Sequence, residues 1–172
     1  MTNPYAAPNA NLARDEPGRG IESFPRFSAW YVFGLIILTL SLYIAYWLFT
    51  RTRTLNKLSA NKISTLFCYV TMAFFLLSLA TAFGEVALAL TADTREGSTV
   101  SRNYAIFSNL ISFISNILML VWVFKFRNRL ADNVIGGLSG RAAVGPVMTF
   151  FFQVIYLQYK INERIDAVHA SA

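Results

Sequence analysis

Side chains that do chemistry are scarce in this sequence. A single cysteine, Cys68, excludes an intrachain disulfide, and a single histidine, His169, leaves no basis for a metal centre built on imidazole or thiolate. Charged residues make up only 14% of the 172 positions, against roughly 25% in soluble domains, and they are clustered rather than spread. There is no Gly-x-Ser-x-Gly, no His-Glu-x-x-His and no pair of carboxylates within one apolar segment. Acid-base and nucleophilic catalysis lack their residues, so no enzyme activity, catalytic residue or cofactor is expected. Gly136, Gly137 and Gly140 beside Arg141 lack the Gly-Lys-Ser/Thr and the preceding strand of a phosphate-binding loop, and read as a connector.

What the chain has in abundance is apolar surface: 55% hydrophobic and 15% aromatic residues. Four stretches carry no charge, at 27–50, 63–84, 103–124 and 142–159, and each reaches the roughly 17 to 18 residues needed to cross a bilayer as a helix. The expected fold class is therefore all-α, a polytopic transmembrane helical bundle. It has four spans at about 27–50, 63–90, 103–124 and 146–165, in one domain covering 27–168. The first 26 residues, with Pro4, Pro8, Pro17 and Pro25, read as a flexible polar tail, and 169–172 as a short second tail. The first apolar stretch is 24 residues long and runs into Arg51, too long for a signal-peptide core, and is expected to be retained. The fourth segment, opening at Gly145-Pro146 and turning polar from Gln153 onward, fits a span better than an interfacial helix.

The net charge of +6 and pI near 9.7 follow from Lys and Arg crowding the cytoplasmic loops of a membrane protein, and nucleic acid is not expected as a partner. The basic loops 51–62 and 125–141 are expected in the cytoplasm, with both termini across the membrane. Trp30 and Trp47, near the two ends of the first stretch, are expected at the headgroup belts. Arg51, Arg53 and Lys57 are expected to meet lipid headgroups just beyond.

Within the third span, Ser108, Asn109, Ser112, Ser115 and Asn116 recur at spacings of three, four and seven, placing a polar stripe on one helical face. Glu85 is the one acid embedded in the second. If spans two and three are antiparallel, residues whose numbers sum to about 193 lie at equal depth, which sets Glu85 against Ser108 and Asn109; the alternatives are that Glu85 snorkels to periplasmic water or pairs with Arg102. Ser78, Ala82 and Ala89 would share its face. Glu85, Ser108, Asn109, Ser112 and Asn116 thus form the candidate intramembrane polar site. The expected function is a non-enzymatic scaffold or accessory protein acting through helix contacts, with membrane lipids and a second copy or another membrane protein as partners. The alternative is a small transporter or channel subunit using Glu85 and the polar stripe.

Two segments, TLSLYIAYWLFTRTRTLNKL from Thr39 to Leu58 and YLQYKINERI from Tyr156 to Ile165, carry a family resemblance. They resemble the bacterial domain of unknown function (DUF) family 4234, which pairs a T-L-G-x-Y-x-x-Y-W signature before a basic loop with a late Y-L-Q-Y-K-x-N segment. Ser41 stands where that pattern has Gly. The resemblance, over about 27–165, implies a small multi-pass protein of the bacterial inner membrane and no established activity.

Overall fold

The computed structural model describes residues 20–91, 97–136 and 142–171; side chains at 91, 97–101, 136 and 171 fall outside the description. After a 3-10 turn at Ile21–Ser23 come α1 (Ala29–Leu38), α2 (Leu42–Leu58), α3 (Thr65–Thr91) and α4 (Gly97–Leu130), which runs into a π-helical turn at Ala131–Gly136. α5 (Pro146–Ser171) completes the chain. The fold is all-α.

The first apolar stretch is not one helix. Its two flanking arginines would stand about 36 Å apart on a straight helix. Instead the Arg51 guanidinium reaches the carbonyl of Pro25 at 3.4 Å, and a Cβ built on Gly20 would stand 2.7 Å from Leu58 Cδ2. α1 and α2 therefore fold back on each other as a helical hairpin. The reversal is a Schellman motif: Ser41 N–H bonds Ile36 O at 2.7 Å and Leu40 N–H bonds Ile37 O at 3.2 Å. The Thr39 hydroxyl donates to Leu35 O at 2.7 Å and accepts Tyr43 N–H at 3.0 Å, capping α2 as it closes α1. Leu40 (φ 49°) and Ser41 (φ 71°) both sit in the left-handed region. The Gly that the family pattern has at position 41 thus answers a backbone conformation rather than close packing. Periodicity alone does not reveal the break, because the uncharged stretch is apolar on every face to either side of it and the turn itself is built from Thr, Leu and Ser.

α5 breaks in a similar way at Gln153 (φ 39°, ψ −118°). The Tyr156 hydroxyl accepts Gly145 N–H at 3.0 Å across eleven residues, a separation of about 16 Å on a straight helix, so the arm 146–152 turns back sharply on the arm 154–171. The expected straight fourth span is replaced by a second, shorter hairpin. It packs beside the first: Asn162 Nδ2 donates to Phe27 O at 2.8 Å, and Arg26 pairs with Asp166 at 3.0 Å.

Among the described residues, α3 and α4 are the two helices long and apolar enough to cross a membrane. They form the most extensive helix pair, antiparallel in the expected register: Ser78 Oγ meets Ser115 Oγ at 3.5 Å, positions whose numbers sum to 193. Only 17% and 28% of their apolar windows are buried inside the protein, so neither is a shielded core helix. α4 also swallows Lys125, Arg127 and Arg129, which the sequence placed in a loop. The packed core (Trp47, Leu48, Leu55, Trp122, Phe126, Leu130, Leu157, Ile161 and neighbours) lies where both hairpins meet the C-terminal end of α4.

Two measurements test this hairpin. Cysteines replacing Gly20 and Leu58 in a Cys68→Ser background should cross-link with a short bifunctional maleimide, whereas a continuous first helix would hold them more than about 50 Å apart. Thr39→Val removes the acceptor for Tyr43 N–H and should lower stability by about 1 kcal/mol in thermal unfolding. Ser41→Gly should raise it by a similar or smaller amount.

Candidate functional site

The two segments that carry the family resemblance are in direct contact. Trp47 Nε1–H donates to Gln158 Oε1 at 2.9 Å, and Arg51 Nη2 approaches the same oxygen at 3.4 Å. Gln158 Nε2 donates to Asn162 Oδ1 at 2.9 Å, and Asn162 holds Phe27 at both its carbonyl (2.8 Å) and its N–H (3.4 Å). One amide ladder, Gln158 and Asn162 four residues apart on α5, thus ties the first hairpin to the second. A parallel bond, Trp122 Nε1–H to Thr52 Oγ1 at 3.0 Å, ties α2 to α4.

Arg51 lies at the centre of this network and is only 8% exposed. Burying a cation is expensive unless it is paired. Among the described residues no carboxylate bonds to it; its partners are the Pro25 carbonyl, the Gln158 amide and the Trp47 ring, 5.8 Å from the guanidinium carbon. Its Nε is buried without a partner. Arg127 does similar work one layer away: Nε and Nη2 both donate to Val144 O, and Nη1 donates to Asn128 Oδ1 at 2.8 Å, pinning the segment before α5.

Between α1 and α5 runs a groove with two characters. Its mouth, a cavity of about 670 Å³, is lined by Arg26, Ser28, Tyr159, Asn162, Glu163 and Asp166. Its inner end, about 550 Å³, is lined by Phe33, Phe152, Ile155 and Tyr156, and both ends share Trp30 and Tyr159. The arrangement can hold an amphiphile.

The family described as "Domain of unknown function (DUF4234)" matches residues 27–132. The chain belongs to this family. No curated protein and no solved structure matches it. The DUF4234 match takes in both arms of the first hairpin, α3 and α4, and stops before α5. Gln158 and Asn162 therefore lie outside the matched residues while bonding Trp47, Arg51 and Phe27 within them.

The structure divides the expected DUF4234 site residues. Trp30 is 82% exposed, as a headgroup-belt residue would be, but Trp47 is 1% exposed and faces Phe126 and Gln158 rather than lipid. Its expected headgroup role is corrected, because the fold-back turns that face of α2 into the core. Arg51 is likewise removed from any free headgroup surface. Arg53, over the Phe49 ring at 5.6 Å, and Lys57 remain exposed.

The polar stripe of α4 also splits. Ser108 and Ser115 are buried against α3 and Ser112 is half-buried, whereas Asn109 and Asn116 point outward. Asn109 Nδ2 donates to its own helix at Ala105 O, 2.7 Å. Among the described residues no hydrogen bond or ion pair joins Glu85 to Ser108, Asn109 or Arg102, and Glu85 Oε1 is buried without a partner. Tyr104 occupies that level instead, donating to Thr81 O at 3.1 Å across Gly84, where any Cβ would collide with its hydroxyl. Ala82 and Ala89 are exposed, so the close approach runs over Ser78, Thr81 and Gly84.

Sequence reasoning passed over Gln158, Asn162, Thr52 and Trp122 as site residues. The available signal was the pair of amides at i and i+4 inside Tyr156–Ile165. Gln158→Leu should leave Trp47 Nε1–H and Arg51 short of their shared acceptor. Thermal unfolding in mild detergent should then show a loss of about 2 to 3 kcal/mol.

Proposed function

We propose that this chain is an integral protein of the bacterial inner membrane that acts as a non-enzymatic scaffold or accessory protein through its helix contacts. In this reading α3 and α4 cross the bilayer, while the two hairpins enter and leave on one side. The exposed sides of α3 and α4 support insertion, since Leu66, Leu77, Phe83, Leu90, Phe107 and Phe113 face outward from both. The tip of the first hairpin adds Ile37, Leu38 and Leu40 to that apolar surface, and the short arm of the second adds Val147 and Phe151.

Fold-back changes the expected topology. Arg26, Arg51, Arg53, Lys57, Lys62, Lys125, Arg127, Arg129, Lys160 and Arg164 gather toward one end of the molecule, and Arg102 stands at the other. The positive-inside rule then assigns the basic segments 51–62 and 125–141 to the cytoplasm, and both termini join them there rather than crossing.

The observation that carries the scaffold reading is where the polar side chains are spent. Ser78, Ser108 and Ser115 pack α3 on α4, and Gln158 and Asn162 join the hairpins, leaving no continuous polar lining among the described residues. The transporter reading draws on Glu85, an acid in an apolar helix whose Oε1 is buried without a hydrogen-bond partner. Reconstituted vesicles should show no ion or solute flux above empty ones. Flux abolished by Glu85→Gln would replace the scaffold with a transporter. For topology, reporters fused after Lys57 and at the C-terminus should both be active only in the cytoplasm. A C-terminal fusion active only in the periplasm would restore the fourth segment as a crossing.

A further inference from the structure

The molecule has unequal halves. Toward its basic end, α1, α2, both arms of α5, the start of α3 and the end of α4 enclose a common core. Beyond Ser78 and before Ser115, α3 and α4 continue as a bare pair, with Phe83, Val86, Leu90, Ile106 and Phe107 exposed. We infer that this chain bends the bilayer it occupies, its basic end on the convex face. The inference rests on the reading of two crossing helices and two re-entrant hairpins given above.

Depth is set from both ends of each hairpin. Ile37, Leu38 and Leu40 at the first apex, and Val147, Met148 and Phe151 on the short arm of the second, are exposed and apolar, so they belong among acyl chains. The bases carry the Arg26–Asp166 and Lys160–Glu163 pairs and cannot follow them. α1 has ten residues, about 15 Å, which brings the first apex close to the middle of a core roughly 30 Å thick. The α2 arm agrees: Asn56 bonds Ile63 and Phe49 packs on Tyr69, a register that sets the apex level with Ser78, midway along α3. The N–H groups of the apex are met within the turn, by the Schellman motif, the Thr39 carbonyl and the Thr39 hydroxyl, as acyl chains require of donors.

One leaflet therefore holds six helical sections and the other two. With helices about 10 Å across, the four extra sections add about 300 Å² to one leaflet alone. At one protein per about 2,500 Å², leaflets whose mid-surfaces lie about 15 Å apart relax that mismatch at a radius of about 250 Å.

The test uses full-length chain inserted by cell-free translation into large preformed vesicles of phosphatidylethanolamine and phosphatidylglycerol, so that the basic end stays outside. Cryo-electron microscopy should show the median diameter falling about two-fold or more as protein density rises toward that spacing. Leu38→Lys with Phe151→Lys, which lifts both apices toward water, should leave vesicles near their protein-free size. Vesicle size unaffected by the unsubstituted chain at that density would overturn the inference, whatever the double variant does. Labelling separates this from failure of the underlying topology. Cysteines at Glu22 and at Lys57, in a Cys68→Ser background, should both react with an impermeant maleimide from outside. Reaction of only one would overturn the hairpin reading and the wedge with it. Reaction of both with unchanged vesicles would overturn the wedge alone.

Discussion

Everything distinctive in this fold depends on one demand of the backbone: a chain that reverses among apolar groups must still bond its N–H and C=O groups. At Thr39–Ser41 the N–H groups are met locally, by a 6→1 and a 5→2 bond and by one hydroxyl serving as both donor and acceptor. The conformational cost falls on Leu40 and Ser41, two residues with a Cβ held at positive φ. The N–H groups of the turn therefore need neither water nor a neighbouring helix at its tip. α1 can then return beside α2 instead of continuing.

Once the chain reverses, charge and polarity have to be settled at the base of the hairpin. Arg51 follows an apolar stretch and on a straight helix would face water. In the hairpin it lies beneath Pro25 and against α5, and it is accommodated by carbonyl, amide and indole groups rather than by a carboxylate. Such a cation is tolerated only while its neighbours hold position, which gives Gln158 and Asn162 their importance. The same amides fix where α5 lies, so the core forms at one end of the molecule and leaves the far half of α3 and α4 as a pair. Gly84 lets Tyr104 cross to Thr81 within that pair, and the hydroxyls of Ser78 and Ser115 complete it.

Much of this protein was legible from its residues. The all-α class, the two long apolar helices α3 and α4 and their antiparallel register follow from uninterrupted apolar length and from short connections, both local properties of the chain. Family membership was legible from Thr39 to Leu58. The site was less completely legible. Ser108, Ser112 and Ser115 share the face that the spacing assigns them, while Asn109 and Asn116, a residue further round, turn outward.

Tertiary structure alone decided the rest. Twenty-four uncharged residues are equally compatible with one long helix and with two short ones joined by a turn, since both hide the same apolar atoms. Which forms depends on whether a partner awaits the returning arm. That partner is α5, more than 100 residues away, and no local pattern records that Trp47 and Gln158 will meet. Hydrophobic length determined which segments leave water; the long-range bonds of Arg51, Gln158 and Asn162 determined which of them turn back.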